Sequence, residues 1–206
     1  MIIELFGLPA SGKTHLAHKF SERGFELVKI NSRLELIGRS FLFLICNSWR
    51  SLRLFFFFLT NADNLSRFYV KFLNGFLQAG AKFQKAGKFE KAVLDQGFFQ
   101  NMLTLFEKEK TPEQLLQFVK ILPRPNFLLI VEAPEEERLS RIGRRGYQNA
   151  KSFFKKYNSP EKIRGWEKII EDNFEAFKEI IPRSGVNYRF CKSDDSLENF
   201  IELGRL

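Results

Sequence analysis

IIELFGLPASGKT, residues 2–14, joins a short apolar run to a glycine-rich loop. The loop, Gly7–Thr14, matches the phosphate-binding pattern G-x-x-x-x-G-K-S/T at every fixed position. The apolar run predicts a buried strand, and the residues after Gly12 predict a helix that ends near Arg23, before Gly24. Backbone amides at the start of such a helix bind phosphate, because they lie at the positive end of the helix dipole. The stretch therefore predicts an α/β fold that binds a nucleotide.

The residues of the loop have separate roles in phosphate binding. Amides from Ala10 to Thr14 face the anion, and Lys13 reaches the β- and γ-phosphate oxygens. The Thr14 hydroxyl is a ligand for Mg²⁺. The predicted cofactors are therefore ATP and Mg²⁺. The predicted nucleotide-binding residues of the loop are Gly7, Leu8, Pro9, Ala10, Ser11, Gly12, Lys13 and Thr14.

The composition of the chain indicates a folded protein with anionic partners. Its 206 residues are 44% hydrophobic and 28% charged, which excludes a disordered tail or a fibrous repeat. A formal net charge of +9 favours phosphate compounds, nucleic acid or a membrane surface as partners. The two cysteines are too few for a disulfide scaffold, and the N-terminus lacks the basic region of a signal peptide. We therefore expect a reduced, cytoplasmic protein.

Alternating strands and helices predict a parallel sheet within a single domain over 1–206. The predicted strands are Ile2–Gly7, Phe25–Ile30, Ala92–Asp95, Phe127–Glu132 and Tyr188–Cys191. Later helices are expected from Pro112 to about Leu122, over residues 161–181 and over Ser196–Leu203.

Residues 31–88 interrupt this alternation and predict two or three helices without a strand. The segment holds nine basic residues against two acidic ones, and it contains four consecutive phenylalanines, Phe55–Phe58. We expect these rings to pack into a core on every side of one helix. The alternative is a dimer interface or an apolar acceptor pocket. Arg50 and Arg53 interrupt the apolar run Phe41–Thr60, so no membrane span is expected, whereas a peripheral membrane contact and a homodimer both fit the composition.

Asp95 follows the third predicted strand and is the candidate carboxylate beside the loop. It can hold Mg²⁺ or accept a proton from an attacking hydroxyl. Alternatively, it caps the helix that begins at Gly97 or Phe98. Many motor-type ATPases carry a glutamate after this aspartate to activate water. Gln96 stands there in this chain, which favours transfer to an acceptor over hydrolysis.

Residues 138–156 contain seven basic side chains and no acidic one, beginning with Arg138, Arg141, Arg144 and Arg145. A helix places Arg141 and Arg145 on one face. There they can stabilise the negative charge of a phosphoryl group during transfer. The alternative is a solvated basic face.

Three stretches in this order resemble the P-loop kinases of the nucleoside and nucleotide kinase group, and thymidylate kinase-like proteins most closely. They are Ile2–Thr14, Val93–Gly97, and Pro123–Pro134 running into Arg141–Gly146. The overall layout, including the Asp-Gln-Gly motif of the second stretch, is also similar to uncharacterised P-loop kinases associated with glycan assembly.

The resemblance implies a P-loop NTPase fold with a five-stranded parallel sheet, an acceptor-binding insertion over 31–88 and an arginine-rich lid over 141–159. Arg33 and Arg39 of the insertion, together with Gln96, are then the acceptor-binding candidates. Thymidylate kinases typically carry an arginine at the position of Gln96 that touches the acceptor phosphate. The acceptor is therefore not assigned by the resemblance.

The function predicted from these features is transfer of the γ-phosphate of ATP·Mg²⁺ to a small anionic or hydroxyl acceptor: a nucleotide, nucleoside, sugar or sugar phosphate. The catalytic candidates are Lys13, Asp95, Arg141 and Arg145. In the kinase group named above, the loop after the last strand packs on adenine, which makes Lys192 and Ser193 candidate base contacts. A nucleotide-dependent switch or scaffold is the second hypothesis. A nucleic-acid end kinase is the third hypothesis, suggested by the net positive charge. It ranks last because the sequence has no RNA-binding signature.

Overall fold

Five parallel strands form one sheet in the order β2-β3-β1-β4-β5. The computed structural model describes residues 1–61, 68–69, 71–106, 110–149, 160–196 and 200. The strands are β1 (Ile2–Phe6), β2 (Glu26–Leu27), β3 (Ala92–Leu94), β4 (Phe127–Glu132) and β5 (Tyr188–Lys192). All five predicted strands are confirmed, and so is the α/β fold class with a five-stranded parallel sheet. Strand β2 is shorter than predicted, since it lies at the sheet edge and pairs only with β3.

Helices cover both faces of the sheet. They are α1 (Lys13–Glu22), α2 (Arg33–Cys46), α3 (Ser48–Thr60), α4 (Gln78–Ala86), α5 (Phe98–Leu105), α6 (Pro112–Ile121), α7 (Glu135–Asn149) and α8 (Pro160–Ile180). A π-helical stretch, Phe72–Leu77, runs into α4, and a 3₁₀ turn, Ile181–Arg183, follows α8. The predicted helix over Ser196–Leu203 lies almost entirely outside the described residues.

The helix ends follow from local sequence signals. Helix α1 ends at Glu22, and Gly24 behind it has a φ of 84°, a conformation that glycine adopts without strain. Helix α6 begins with Pro112 and a capping box, in which Thr111 and Gln114 satisfy each other's backbone amides. These boundaries confirm the predicted ones.

Phenylalanine rings join the 31–88 insertion to the sheet domain. Phe43 of α2 packs against Phe98 of α5 at 5.5 Å between ring centroids, and Phe58 of α3 packs against Phe76 at 5.8 Å. These four rings belong to the same buried cluster as Phe6 of the central strand. The insertion therefore shares a core with the sheet domain.

The four consecutive phenylalanines of α3 have different surroundings. Phe58 is buried, and Phe57 stacks on Phe118 of α6 at a centroid distance of 4.3 Å. Phe55 is partly buried against Phe72. Phe56, in contrast, is 54% exposed. The expectation that the rings pack on every side of the helix is wrong for Phe56, because α3 has tertiary neighbours on only part of its circumference.

Among the described residues, no single helix has both the length and the apolar composition needed to cross a membrane. Helices α2 and α3 satisfy that criterion only when they are taken together, and the pair is bent by 110°.

Candidate active site

The glycine-rich loop lies at the carboxyl end of the central strand β1 and leads directly into α1. The Gly7 amide donates to the side-chain oxygen of Gln100 in α5 at 3.1 Å, which ties the start of the loop to the neighbouring β3–α5 unit. The Lys13 ammonium donates to the carbonyls of Gly7 (2.8 Å) and Leu8 (2.7 Å), and to the Ser11 hydroxyl (3.3 Å). The lysine is therefore held against the loop, beside the amides that are expected to bind phosphate.

Ala10 in the middle of the loop has a φ of 61°. Within the described part of the chain it is the one non-glycine residue with a positive φ. A left-handed alanine is strained by about 1–3 kcal/mol, and such strain concentrates at binding and catalytic sites. The surroundings of the loop therefore hold Ala10 in a conformation that alanine rarely adopts.

Arg141 of α7 and Ser193 after β5 lie against the loop. One guanidinium nitrogen of Arg141 donates to the Ala10 carbonyl at 3.1 Å. The other donates to Glu137 at 2.5 Å and to the Ser193 hydroxyl at 3.4 Å. Gly12 permits this assembly, since a Cβ at that position would lie 2.3 Å from the Ser193 Cβ, and its φ of 99° also favours glycine. Two residues that are distant in sequence therefore border the loop together.

Asp95 directly follows β3, which pairs with β1 on the side opposite to β4. Its carboxylate is 25% exposed, and one oxygen lies 3.8 Å from the Lys82 ammonium. Lys82, on α4 of the insertion, also donates to the Gln96 carbonyl at 3.2 Å. The insertion thus supplies a cation to the residues at the end of β3. Sequence reasoning missed Lys82, although a single lysine on the buried side of a helix, after the small residues 79–81, is an available signal.

Glu4 is fully buried in the middle of β1, and sequence reasoning missed it as well. One carboxylate oxygen accepts hydrogen bonds from the Phe99 amide (2.6 Å) and the Gln100 amide (3.2 Å) at the start of α5. The other oxygen accepts no hydrogen bond from any described residue. Glu4 therefore caps α5 from the neighbouring strand. The predicted alternative, that Asp95 caps this helix, is wrong, because the first turn of α5 is satisfied by Glu4 instead.

Burial shifts the pKa values of both Glu4 and Lys82. It raises the pKa of Glu4 to about 8, although the amides of Gln100 and Phe99 and the charge of Lys82 oppose the shift. Burial also lowers the pKa of Lys82, while Asp95 and Glu4 oppose that shift. With Glu4 protonated at neutral pH, the charge of Lys82 acts mainly on Asp95.

Glu4→Gln is expected to flatten the pH dependence of stability. Because the pKa of Glu4 is about 8 in the folded protein against 4.5 for the free group, the folded state keeps a proton that the unfolded chain has released in this interval. The contribution of Glu4 to the free energy of unfolding therefore falls as the pH rises from 4.5 to 8. Glutamine cannot titrate, so the variant should lose this slope. Urea denaturation across the interval measures it.

The matched control for this measurement is Glu22→Gln, which changes an exposed glutamate of α1. It should keep the wild-type pH dependence. If the slope of Glu4→Gln equals that of the wild type, the pKa of Glu4 is not raised in the folded protein.

The remaining predicted site residues, Arg33, Arg39, Arg145 and Lys192, lie on three different elements. Arg33 is exposed in the first turn of α2, and Arg39 is partly buried on the same helix. Lys192 is exposed at the end of β5, where its amide donates to the Asp195 carboxylate at 2.8 Å. The helix α7 contains Arg145, but the side chain of Arg145 lies outside the described part of the structure, as do residues 150–159 of the predicted lid.

Arg138 is the first of the basic residues that the sequence groups over 138–156, but its surroundings differ from those of Arg141. It is buried and forms an ion pair of 2.7 Å with Glu171 of α8. Its role is to tie α7 to α8, because a buried guanidinium needs a carboxylate partner. The sequence shows the charge of Arg138 but not the helix that packs against it.

The chain is similar to several solved protein structures. No family model matches the chain, and no curated protein matches it either. Deoxyadenosine kinase from M. mycoides with bound dATP is 13% identical, with a TM-score of 0.49, over 98% of this chain and 96% of that one. The same enzyme with its product dCMP and a flexible dCDP is 14% identical, with a TM-score of 0.48 over the same shares of both chains. The YorR protein of Bacillus subtilis, in complex with phosphorylated GDP, is 16% identical, with a TM-score of 0.47 over 100% of this chain and 96% of that one. At this level of similarity, the assignment of a function rests on the residues of the chain itself.

Proposed function

We propose that the chain is an ATP-dependent phosphotransferase that moves the γ-phosphate of ATP to a small-molecule acceptor. The observation that carries the proposal is the arrangement around the loop. Lys13 is bonded to the loop itself, Arg141 is bonded to its Ala10 carbonyl, and Asp95 follows the adjacent strand on the other side. Cations for the phosphates and a carboxylate for the acceptor would then border one centre.

The residues present fit Mg²⁺. The Thr14 side chain is exposed at the start of α1, and the Asp95 carboxylate is 25% exposed. One hydroxyl and one carboxylate suffice for Mg²⁺, since this ion takes most of its ligands from water and phosphate. Thr14 and Asp95 would hold the ion, which when bound neutralises charge on the phosphate oxygens.

Asp95 has a second role when the acceptor is an alcohol. A hydroxyl must lose its proton as it attacks phosphorus, and a carboxylate at hydrogen-bonding distance can accept that proton. The Lys82 ammonium lies 3.8 Å from one Asp95 oxygen, where it can orient the carboxylate. Arg141 would stabilise the phosphoryl group in transfer from the other side of the loop. Arg145 is assigned the same role by its spacing from Arg141 in α7.

The acceptor would be bound by the 31–88 insertion, with Arg33, Arg39 and Gln96 as its contacts. A nucleoside or nucleotide is the first candidate class, in line with the sequence resemblance to thymidylate kinase-like proteins, and a sugar or sugar phosphate is the second. The protein would act in the cytoplasm as a single domain, with residues 141–159 as its lid.

A screen of ATP consumption against nucleosides, nucleotides, sugars and sugar phosphates tests the proposal. We expect consumption to depend on one acceptor class, and mass spectrometry should find the acceptor heavier by one phosphoryl group. Tight binding of ATP·Mg²⁺ without acceptor-dependent consumption in any class would contradict the proposal and favour the nucleotide-dependent switch.

A further inference from the structure

Helices α2 and α3 carry an unusual concentration of exposed apolar side chains. Of the twelve large hydrophobic residues that are exposed in the described part of the chain, nine belong to these two helices. We call them the apolar face: Leu34, Ile37, Phe41, Leu42, Ile45, Trp49, Leu52, Phe56 and Leu59. Leu34 is 83% exposed and Trp49 is 72% exposed. Exposed apolar patches of this extent mark a surface that binds a partner or a membrane.

The apolar face is one continuous side of each helix. In α2, the exposed residues recur at helical spacing, whereas Ser40 and Phe43 point into the protein. In α3, Trp49, Leu52, Phe56 and Leu59 recur in the same way, opposite the buried Ser51, Leu54 and Phe58. A solvated helix face is ordinarily polar. These two helices therefore present an apolar side on their outer surface as well as on their inner surface.

Beyond Glu35, the charged residues of α2 and α3 are all positive. The sequence has no acidic residue from Leu36 to Thr60. Arg50 and Arg53 are exposed and form no ion pair with another described residue. The preceding acid, Glu35, is already paired with Lys85 at 2.7 Å. An apolar surface bordered by exposed arginines complements a surface that is apolar inside and anionic outside.

We propose that the apolar face binds the surface of a membrane that contains anionic lipid, with α2 and α3 lying in the interface. Trp, Phe and Leu on one side and arginines at the border are the composition of interfacial helices. Neither helix is long enough to span a bilayer, and their bend of 110° opposes a common span. Two helices that meet at one junction also define a plane, so both can lie flat on one surface.

A second copy of the chain is the other occupant to consider. A symmetric dimer places the same patch of both subunits face to face. It would therefore place the Arg50 and Arg53 side chains of both subunits at the border of one interface, with no acidic residue of the apolar face to pair with them. Anionic headgroups neutralise these arginines. The charge pattern therefore favours the membrane.

Trp49 allows a direct test in the full-length protein. The chain has two tryptophans, so Trp166→Phe leaves Trp49 as the only one. We expect its emission to shift to the blue, and the protein to sediment with vesicles, when phosphatidylcholine is mixed with phosphatidylglycerol. Vesicles of phosphatidylcholine alone should bind at least tenfold more weakly, because they lack the anionic headgroups. Brominated acyl chains should quench Trp49, which tests insertion without any substitution in the apolar face.

Two variants separate the apolar and the electrostatic parts of the interaction. Phe41→Ser with Phe56→Ser and, separately, Arg50→Gln with Arg53→Gln should each lower binding to the mixed vesicles by on the order of tenfold or more. All four residues are exposed, so the fold should persist, and circular dichroism verifies it. Leu139→Ser is the matched control, since Leu139 is 55% exposed outside the apolar face, and its binding should equal that of the parent protein.

Three outcomes would overturn the proposal. The first is an unchanged Trp49 spectrum with both kinds of vesicle. The second is equal binding to neutral and mixed vesicles. The third is a stable dimer in sedimentation velocity that becomes monomeric in the Phe41→Ser, Phe56→Ser variant, together with a Trp49 spectrum that vesicles do not change. This result would assign the apolar face to a second copy of the chain. None of these measurements depends on catalysis, so they test the surface separately from the proposed reaction.

Discussion

Lys13→Ala is expected to lower phosphoryl transfer by on the order of 10²–10³-fold or more, the usual effect of removing a group that stabilises charge in the transition state. The Lys13 ammonium is bonded to the Gly7 and Leu8 carbonyls, so its charge is held where the β- and γ-phosphates are expected. The fold should persist, because the side chain lies at the surface of the loop and is only partly buried. Single-turnover transfer and thermal unfolding, measured on the same preparation, test both parts of this expectation.

The control for this variant is Lys120→Ala, which removes the same charge from an exposed position on α6. It should transfer phosphate at the wild-type rate. Turnover of Lys13→Ala at the level of this control would show that the loop is not the donor site.

Asp95→Asn is expected to lower phosphoryl transfer to a hydroxyl acceptor by roughly 10²–10⁴-fold, the usual contribution of a general base. The substitution preserves the shape of the side chain, but it removes the proton acceptor and the charge that faces Lys82. Affinity for ATP·Mg²⁺ should fall far less than the transfer rate, since the loop, Lys13 and Thr14 are unchanged. Isothermal titration with ATP·Mg²⁺ beside single-turnover transfer separates the two quantities.

The kind of acceptor changes the size of this effect. A phosphate acceptor is already deprotonated, so the loss of transfer should be smaller and should depend on the metal concentration.

The matched control is Asp172→Asn on α8, which should leave transfer unchanged. Equal rates for Asp95→Asn and the wild type would exclude a catalytic role for Asp95. Weaker binding of Mg²⁺-nucleotide without a separate effect on transfer would favour the switch hypothesis.

The elements with local signals could be predicted from the sequence. The loop has a complete motif between a strand and a helix, and residues such as Gly24 and Pro112 mark helix ends through their own backbone preferences. The helical insertion and all five strands follow from the same kind of signal. In these cases, the residues that determine the structure are near one another in the chain.

Features that depend on tertiary packing could not be predicted in this way. In the sequence, Glu4 interrupts an apolar strand, and only the structure shows that it bonds to the start of α5. Lys82 resembles a surface lysine in the sequence, and only the structure shows that it bonds to the residues after β3. Arg138 belongs to a run of basic residues in the sequence, but in the structure it is buried in an ion pair with Glu171. In each case, burial and a distant partner determine the role of the charge.

The contact between Glu4 and Gly97 has a consequence for the evolution of this fold. A Cβ at position 97 would lie 2.4 Å from the carboxyl carbon of Glu4, so the glycine and the length of the acidic side chain are mutually dependent. Alanine at position 97 should therefore be accepted only together with a shorter acceptor at position 4, such as aspartate, asparagine or serine. Among diverged relatives, these two positions should covary, and an ancestral exchange at one of them should have been followed by an exchange at the other.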